Sequence, residues 1–170
     1  GLQIMVVENH KLPRVSASLI IDNKPNSEGN KVGVKSLYSS MMGNGTKSMS
    51  KEEFNEKVDF LGASVGYGSE SAYASSLSKF FPEVMQLMAD GLLNPLFTEE
   101  EFQDQKDRVL EGLKAGEKSA SNIASNVSRK LAFGGNHPYG EFETEESVNN
   151  VTLKDVKTYY NNFISPKNAY

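Results

Sequence analysis

Gly33-Val34-Lys35-Ser36-Leu37-Tyr38-Ser39-Ser40-Met41-Met42, running into Gly43-Asn44-Gly45-Thr46, says more about this fold than any other part of the chain. Val34, Leu37, Tyr38, Met41 and Met42 recur at helical spacing, which predicts an amphipathic helix with one buried stripe, stopped at Gly43-Asn44-Gly45. Ser36, Ser39 and Ser40 stand at i, i+3 and i+4, the spacing that gathers side chains on one face of a helix. That face carries hydroxyls, none of which can act as a general base near neutral pH.

Working outward, Gln3 to Glu8 and Val15 to Asp22 are rich in valine and isoleucine and flank Asn9-His10-Lys11-Leu12-Pro13, so both are expected as strands. A loop from Asp22 to Asn30 leads into the serine-bearing helix. Downstream, Ser50 with Glu53 forms a capping box, and Phe54, Val58 and Leu61 give a second helix its apolar face up to Gly62. Ala63 to Ser69 reads as extended. Pro82 marks the first turn of another helix through Val84, Leu87, Met88 and Leu92, which Pro95 forbids from continuing. Thr98 with Glu101 starts a further helical stretch carrying Phe102, Val109, Leu110, Leu113, Ile123, Val127 and Leu131. Gly112 and Gly116 mark its weak point, so it forms one long helix or two. Phe133-Gly134-Gly135-Asn136 closes it, Thr152 opens a last helix facing inward with Val156, Tyr159, Tyr160 and Phe163, and Pro166 to Tyr170 begins a strand. Strands, then helices, then a returning strand predict an α+β fold: a two-layer sandwich with helices on one face of a largely antiparallel sheet.

Composition narrows the functions. With 170 residues, 38% hydrophobic and 24% charged, the chain has ordinary globular composition and length for one substantial core. Its charge of −4, from 22 acidic against 18 basic residues without a block of like charge, argues against nucleic acid and against a basic membrane-binding face. No apolar run approaches the roughly 20 residues of a membrane span. The absence of cysteine excludes disulfides and thiolate metal sites. Abundant serine raises the question of a serine hydrolase, yet nothing resembles a nucleophile elbow and no histidine lies near a candidate serine in such a motif.

In order and spacing the pieces resemble one homologous half of the insulinase/pitrilysin family, which includes the mitochondrial processing peptidases. The resemblance begins with Gly1-Leu2-Gln3-Ile4-Met5-Val6-Val7-Glu8-Asn9, similar to the family's opening strand. It continues through Val15 to Asp22, the helix with its trailing Gly45-Thr46, and Leu61-Gly62-Ala63. It ends with Leu92-Leu93-Asn94-Pro95-Leu96-Phe97, Val109-Leu110-Glu111-Gly112-Leu113 and His137-Pro138-Tyr139-Gly140. It implies the LuxS/MPP-like metallohydrolase type of sandwich, with residues 1–170 as a single half-domain truncated at its C-terminal end. A strand already begun at Gly1 also fits the removal of an upstream segment.

The same resemblance locates a catalytic frame and finds it empty. Family members bind zinc through H-x-x-E-H on this helix, two histidines holding the metal and the glutamate serving as base. Those places are Ser36, Ser39 and Ser40 here, and hydroxyls are poor zinc ligands beside imidazole, thiolate or carboxylate. The family's third ligand, a glutamate in V-L-x-E-L, falls on Gly112. Glu111 stands one residue early, an offset that turns a helical side chain by about 100°. The three serines are read either as a pseudo-active site that still shapes a cleft or as a small-residue face where two elements approach closely. The family's peptide-binding edge strand falls on Ser64, Val65, Gly66 and Tyr67, with Gly66 and Tyr67 in place of its Asn-Ala hook; a plain hairpin edge reads equally well. His137 in the "HPYG" loop is structural by the same resemblance.

The resemblance therefore implies a half that has no catalytic residues and binds no cofactor itself. It would pair with a homologous active half or subunit that holds the zinc and would form a chamber for a peptide substrate. Two alternatives stand: a silent portion of a complete zinc metalloendopeptidase, or a structural core subunit of a larger complex. For location the expectation is a soluble protein of a bacterial periplasm or cytoplasm.

Overall fold

Alternation along Arg14–Ile20 (β1) puts Val15, Ala17 and Leu19 half-buried on one face and Arg14, Ser16, Ser18 and Ile20 in water on the other, in the computed structural model, which describes residues 2–170. β1 pairs antiparallel with Ser71–Leu77 (β3), which pairs in turn with Ser64–Tyr67 (β2), giving the sheet order β1-β3-β2. The register sets Ser16, Ser75 and Ser64 in one row and Ala17, Ala74 and Val65 in the next. The remaining elements are α1 (Val34–Met41), α2 (Lys51–Phe60), α3 (Phe81–Leu93), α4 (Glu99–Gly116), α5 (Ala120–Phe133), α6 (Glu145–Asn149) and α7 (Leu153–Phe163). This is the expected α+β fold, helices with an antiparallel sheet.

The chain divides into two compact units, with one of the four boundaries inside α1, between Tyr38 and Ser39. One unit holds the residues up to Asn23, Ser39–Leu96 and Asn162–Tyr170. Its core joins Phe54 and Leu61 with Ala72 and Ala74 of β3 and with Val84, Leu87 and Met88 of α3, so α3 lies across the β3–β2 half of the sheet. The capping box of α2 is complete, Glu53 N–H reaching Ser50 Oγ at 3.2 Å and Ser50 N–H reaching Glu53 Oε2 at 2.8 Å. The second unit holds Lys24–Tyr38 and Phe97–Asn161. There Val148, Val151 and Val156 are buried, as are Tyr38 and Tyr159, whose ring centroids lie 5.1 Å apart. Lys106 Nζ donates to the carbonyls of Asn149 and Val151, both at 2.9 Å, and ties α4 to the end of α6.

Several expectations change. Gln3 to Glu8 forms no strand: these residues are exposed and carry no ladder bonds, and the β propensity of valine and isoleucine is realised only against a partner. Gly1, where the expected opening strand starts, lies outside the described residues. The central strand β3 has no counterpart in the sequence reading. Its Ser-Ala-Tyr-Ala-Ser-Ser-Leu lacks β-branched residues, and pairing on both edges makes it a strand. The long helical stretch is two helices that part after Gly116. Pro166–Asn168 is a 3-10 turn, after which Tyr170 and Ile20 exchange backbone bonds at 2.8 and 3.0 Å, so the returning strand only begins. Among the described residues no helix is long and apolar enough to cross a membrane.

Candidate functional site

α1 is started by carboxylates from outside it. Glu28 Oε2 accepts from the N–H groups of Gly33 and Lys35, both at 3.0 Å, and so satisfies two donors at the positive end of the helix. Gly33 can stand there because its φ is 121° and because an added Cβ would come 2.9 Å from Val148 Cγ2. Glu28 is itself held: its N–H donates to Glu141 Oε2 at 2.9 Å, and Gly29 N–H and the Ser27 hydroxyl donate to Glu141 Oε1. Burial works to raise the Glu141 carboxyl, but the bonds from Ser27, Glu28 and Gly29 outweigh it and hold the group below the usual carboxylate range. Thus the residue after His137-Pro138-Tyr139-Gly140 sets the loop that sets the helix.

On α1, Leu37, Tyr38 and Met41 are buried, as the periodicity predicts. Ser36, Ser39 and Ser40 are half-buried, on one face by their spacing. The Ser36 hydroxyl turns back to the Gly33 carbonyl at 3.2 Å, and the Ser40 carbonyl accepts from Asn44 Nδ2 at 2.8 Å, which closes the helix. The Tyr38 phenol is fully buried without a hydrogen-bond partner among the described residues; burial, then Tyr160 and Tyr159, push its pKa up, so it stays neutral.

The remaining candidates stand apart from any donor cluster. Glu111 and Gly112 are exposed on α4, and a Cβ at Gly112 would meet nothing within 4 Å. His10 is exposed, 3.5 Å from Glu8. His137 stacks on Phe133 with centroids 5.5 Å apart and accepts from Tyr139 N–H at 3.2 Å, in keeping with a structural role. Among the described residues no group of three or more His, Cys, Asp or Glu side chains could hold a metal ion.

Ser64, Val65, Gly66 and Tyr67 form β2, an edge strand. Antiparallel ladders alternate, and Gly68 N–H bonds the Ser71 carbonyl at 2.8 Å. Ser64 and Gly66 therefore bond inward to β3, while Val65 and Tyr67 turn their N–H and C=O groups to the open edge. The Tyr67 side chain goes the other way. Its hydroxyl donates to the carbonyls of Leu87 at 3.4 Å and Met88 at 3.1 Å, and its ring lies over Gly43 and against Gly91, where an added Cβ would collide with the phenol oxygen. Burial, then the Asp90 charge, push the Tyr67 phenol up, so it remains a donor. The sequence reading missed this anchor and the Glu28–Glu141 pair; Gly91 inside an apolar helix was the one signal that a side chain passes there.

The geometry can now be set beside known proteins. The sequence model of the insulinase family, peptidase family M16, matches residues 3–138, and the chain belongs to that family. Among curated proteins it is 23% identical to an uncharacterised zinc protease, YmxG of Bacillus subtilis (strain 168), over 98% of this chain and 42% of that protein. Among solved structures it matches a peptidase M16 inactive domain from Pseudomonas fluorescens with a TM-score of 0.82 at 24% identity, over 96% of this chain and 41% of that one. A protease from Helicobacter pylori follows with a TM-score of 0.78 at 20% identity, covering 92% and 39%. The chain thus has the fold of M16 domains and spans about two-fifths of the length of these relatives. The zinc that the family implies finds no fitting donor set, because among the described residues no group of three or more His, Cys, Asp or Glu could hold it and the hydroxyls that α1 carries are poor ligands beside imidazole or carboxylate.

Proposed function

We propose that this chain is a non-catalytic half-domain of the insulinase family that pairs with a homologous, zinc-bearing half and helps hold an extended peptide between them. The observation that carries this reading is a capped α1 whose Ser36, Ser39 and Ser40 stand where the family resemblance reads its metal and base positions, with Gly112 where it reads the fourth. The edge of β2 suits strand addition, since Val65 and Tyr67 present open backbone groups while Tyr67 is fastened from behind to α3. In this reading the chain contributes no bond-making group. It orients the peptide and keeps water from the partner's metal.

Co-expression with a homologue that retains H-x-x-E-H is expected to yield a stable complex with chelator-sensitive peptide cleavage, and the chain alone is expected to carry near-zero zinc. Stoichiometric zinc and chelator-sensitive cleavage from the chain alone would overturn the reading.

A further inference from the structure

Gly66 is a notch in the outer strand of the sheet. Glycine inside a strand packs nothing and marks a place where another backbone or a ligand comes close. A Cβ added at Gly66 would meet nothing within 4 Å, and its φ is not positive, so neither a close contact nor a turn within the fold calls for glycine there. The register sets Gly66 opposite Tyr73 of β3, and cross-strand partners share a face of the sheet. The notch therefore adjoins the Tyr73 side chain, which is 43% exposed. Exposed Ser64, two residues back along β2, lies on the same face. On either side of Gly66, Val65 and Tyr67 turn their backbone groups outward, and among the described residues β2 pairs with β3 alone.

Both strand pairs of this sheet are antiparallel, the more stable arrangement per residue, and an added strand that follows them exchanges backbone bonds with Val65 and Tyr67. Its residue opposite Gly66 then falls in a non-hydrogen-bonded pair, where Cα atoms come to about 4.5 Å and side chains crowd most. Without a side chain on Gly66 that crowding is absent, and the incoming side chain can lie across β2 toward the Tyr73 ring. The two Cα atoms stand two strand spacings apart, roughly 10 Å, so a ring or a long aliphatic chain reaches the tyrosine and a methyl does not. We infer that Gly66 and Tyr73 determine which peptide the edge of β2 holds, by taking an aromatic or long aliphatic residue opposite Gly66. This rests on the peptide-holding reading above and adds which side chain the peptide brings.

The probe is a set of end-capped heptapeptides, Lys-Thr-Thr-X-Thr-Thr-Lys with X alanine, leucine or phenylalanine. Each is titrated to millimolar concentration into the isotope-labelled chain, with the amide resonances of Val65 and Tyr67 as the readout. The leucine and phenylalanine peptides are expected to bind about threefold to tenfold tighter than the alanine peptide. Gly66→Val fills the notch and Tyr73→Thr removes the ring; both residues suit a strand, and each variant should bring that ratio close to one. Circular dichroism melting checks that each variant is folded. A preference that persists in both variants would come from the strand propensity of the peptide itself and would overturn the notch. Equal binding of all three peptides to the wild-type chain, with shifts at Val65 and Tyr67, would overturn the notch and leave the peptide-holding reading standing. No shift at either amide with any peptide overturns both. Shifts at these amides that follow the concentration of the chain alone would make the occupant the β2 of a second copy, which overturns the peptide assignment.

Discussion

α3 and α5 are helices of 13 and 14 residues, each with apolar residues at helical spacing, and they have opposite fates. α3 buries Val84, Leu87, Met88, Gly91 and Leu92 against the sheet; α5 buries nothing. Periodicity thus specifies a helix and its apolar side but not what covers that side. α3 is covered because β2 and β3 supply a matching apolar face, with Val65, Ala72 and Ala74 as its floor. α5 carries serine and asparagine over much of its surface, and its aliphatic ridge of Ile123, Val127 and Leu131 stays in water.

The sharpest way to break this contrast is to empty the buried helix. Leu87→Ala should cost about 2–5 kcal/mol in urea or thermal unfolding, the range for a core leucine or isoleucine truncated to alanine. A loss well under 1 kcal/mol would mean that α3 does not pack on that floor. Next comes Gly91→Ala, expected to cost about 1–3 kcal/mol because the new methyl would collide with the Tyr67 hydroxyl. Tyr67→Phe in the same chain should return part of that loss, and a double-mutant cycle without coupling would show that the tyrosine does not lie where it is described.

A smaller effect tests how the second unit is held. Glu141→Gln should lower stability by about 1–2 kcal/mol near neutral pH through weaker bonds to Ser27, Glu28 and Gly29. The carboxyl sits below its ordinary range in the fold, so its contribution is fully present above the unfolded value of about 4.3 and is lost as pH falls through the lower folded value. Melting temperatures of wild type and variant should therefore converge in acid, and a constant gap from pH 7 to pH 3 would contradict the assignment. The smallest effect belongs to the exposed helix: Leu131→Ala should change the stability of the isolated chain by no more than about 0.5 kcal/mol. A larger loss would show that the ridge is already covered.

Much of this was legible because it is local. Pro82 starts α3, Ser50 and Glu53 box the start of α2, Gly116 precedes the break between α4 and α5, and the spacing around Ser36, Ser39 and Ser40 predicts α1 within a residue of where it ends. The opening segment failed for the converse reason. Ile4, Met5, Val6 and Val7 have the composition of a strand but pair with no strand, while Ser71–Leu77 has the composition of a loop and a paired strand on either side. The anchoring of β2 was hidden as well, since nothing around Tyr67 in the chain announces that its hydroxyl meets carbonyls some twenty residues on.

The sequence by itself determined the α+β class, most of the helices with their caps, and the chemistry that α1 lacks, because helical period, capping and side-chain donor type are properties of near neighbours or of single residues. Tertiary structure alone decided that β3 is the central strand, that Val65 and Tyr67 face an open edge, that Glu141 governs the start of α1 through Glu28, and that the ridge of α5 stays in water. Each of these depends on which distant segment stands opposite, and a backbone donor, a carboxylate or an apolar face acquires its role only from that partner.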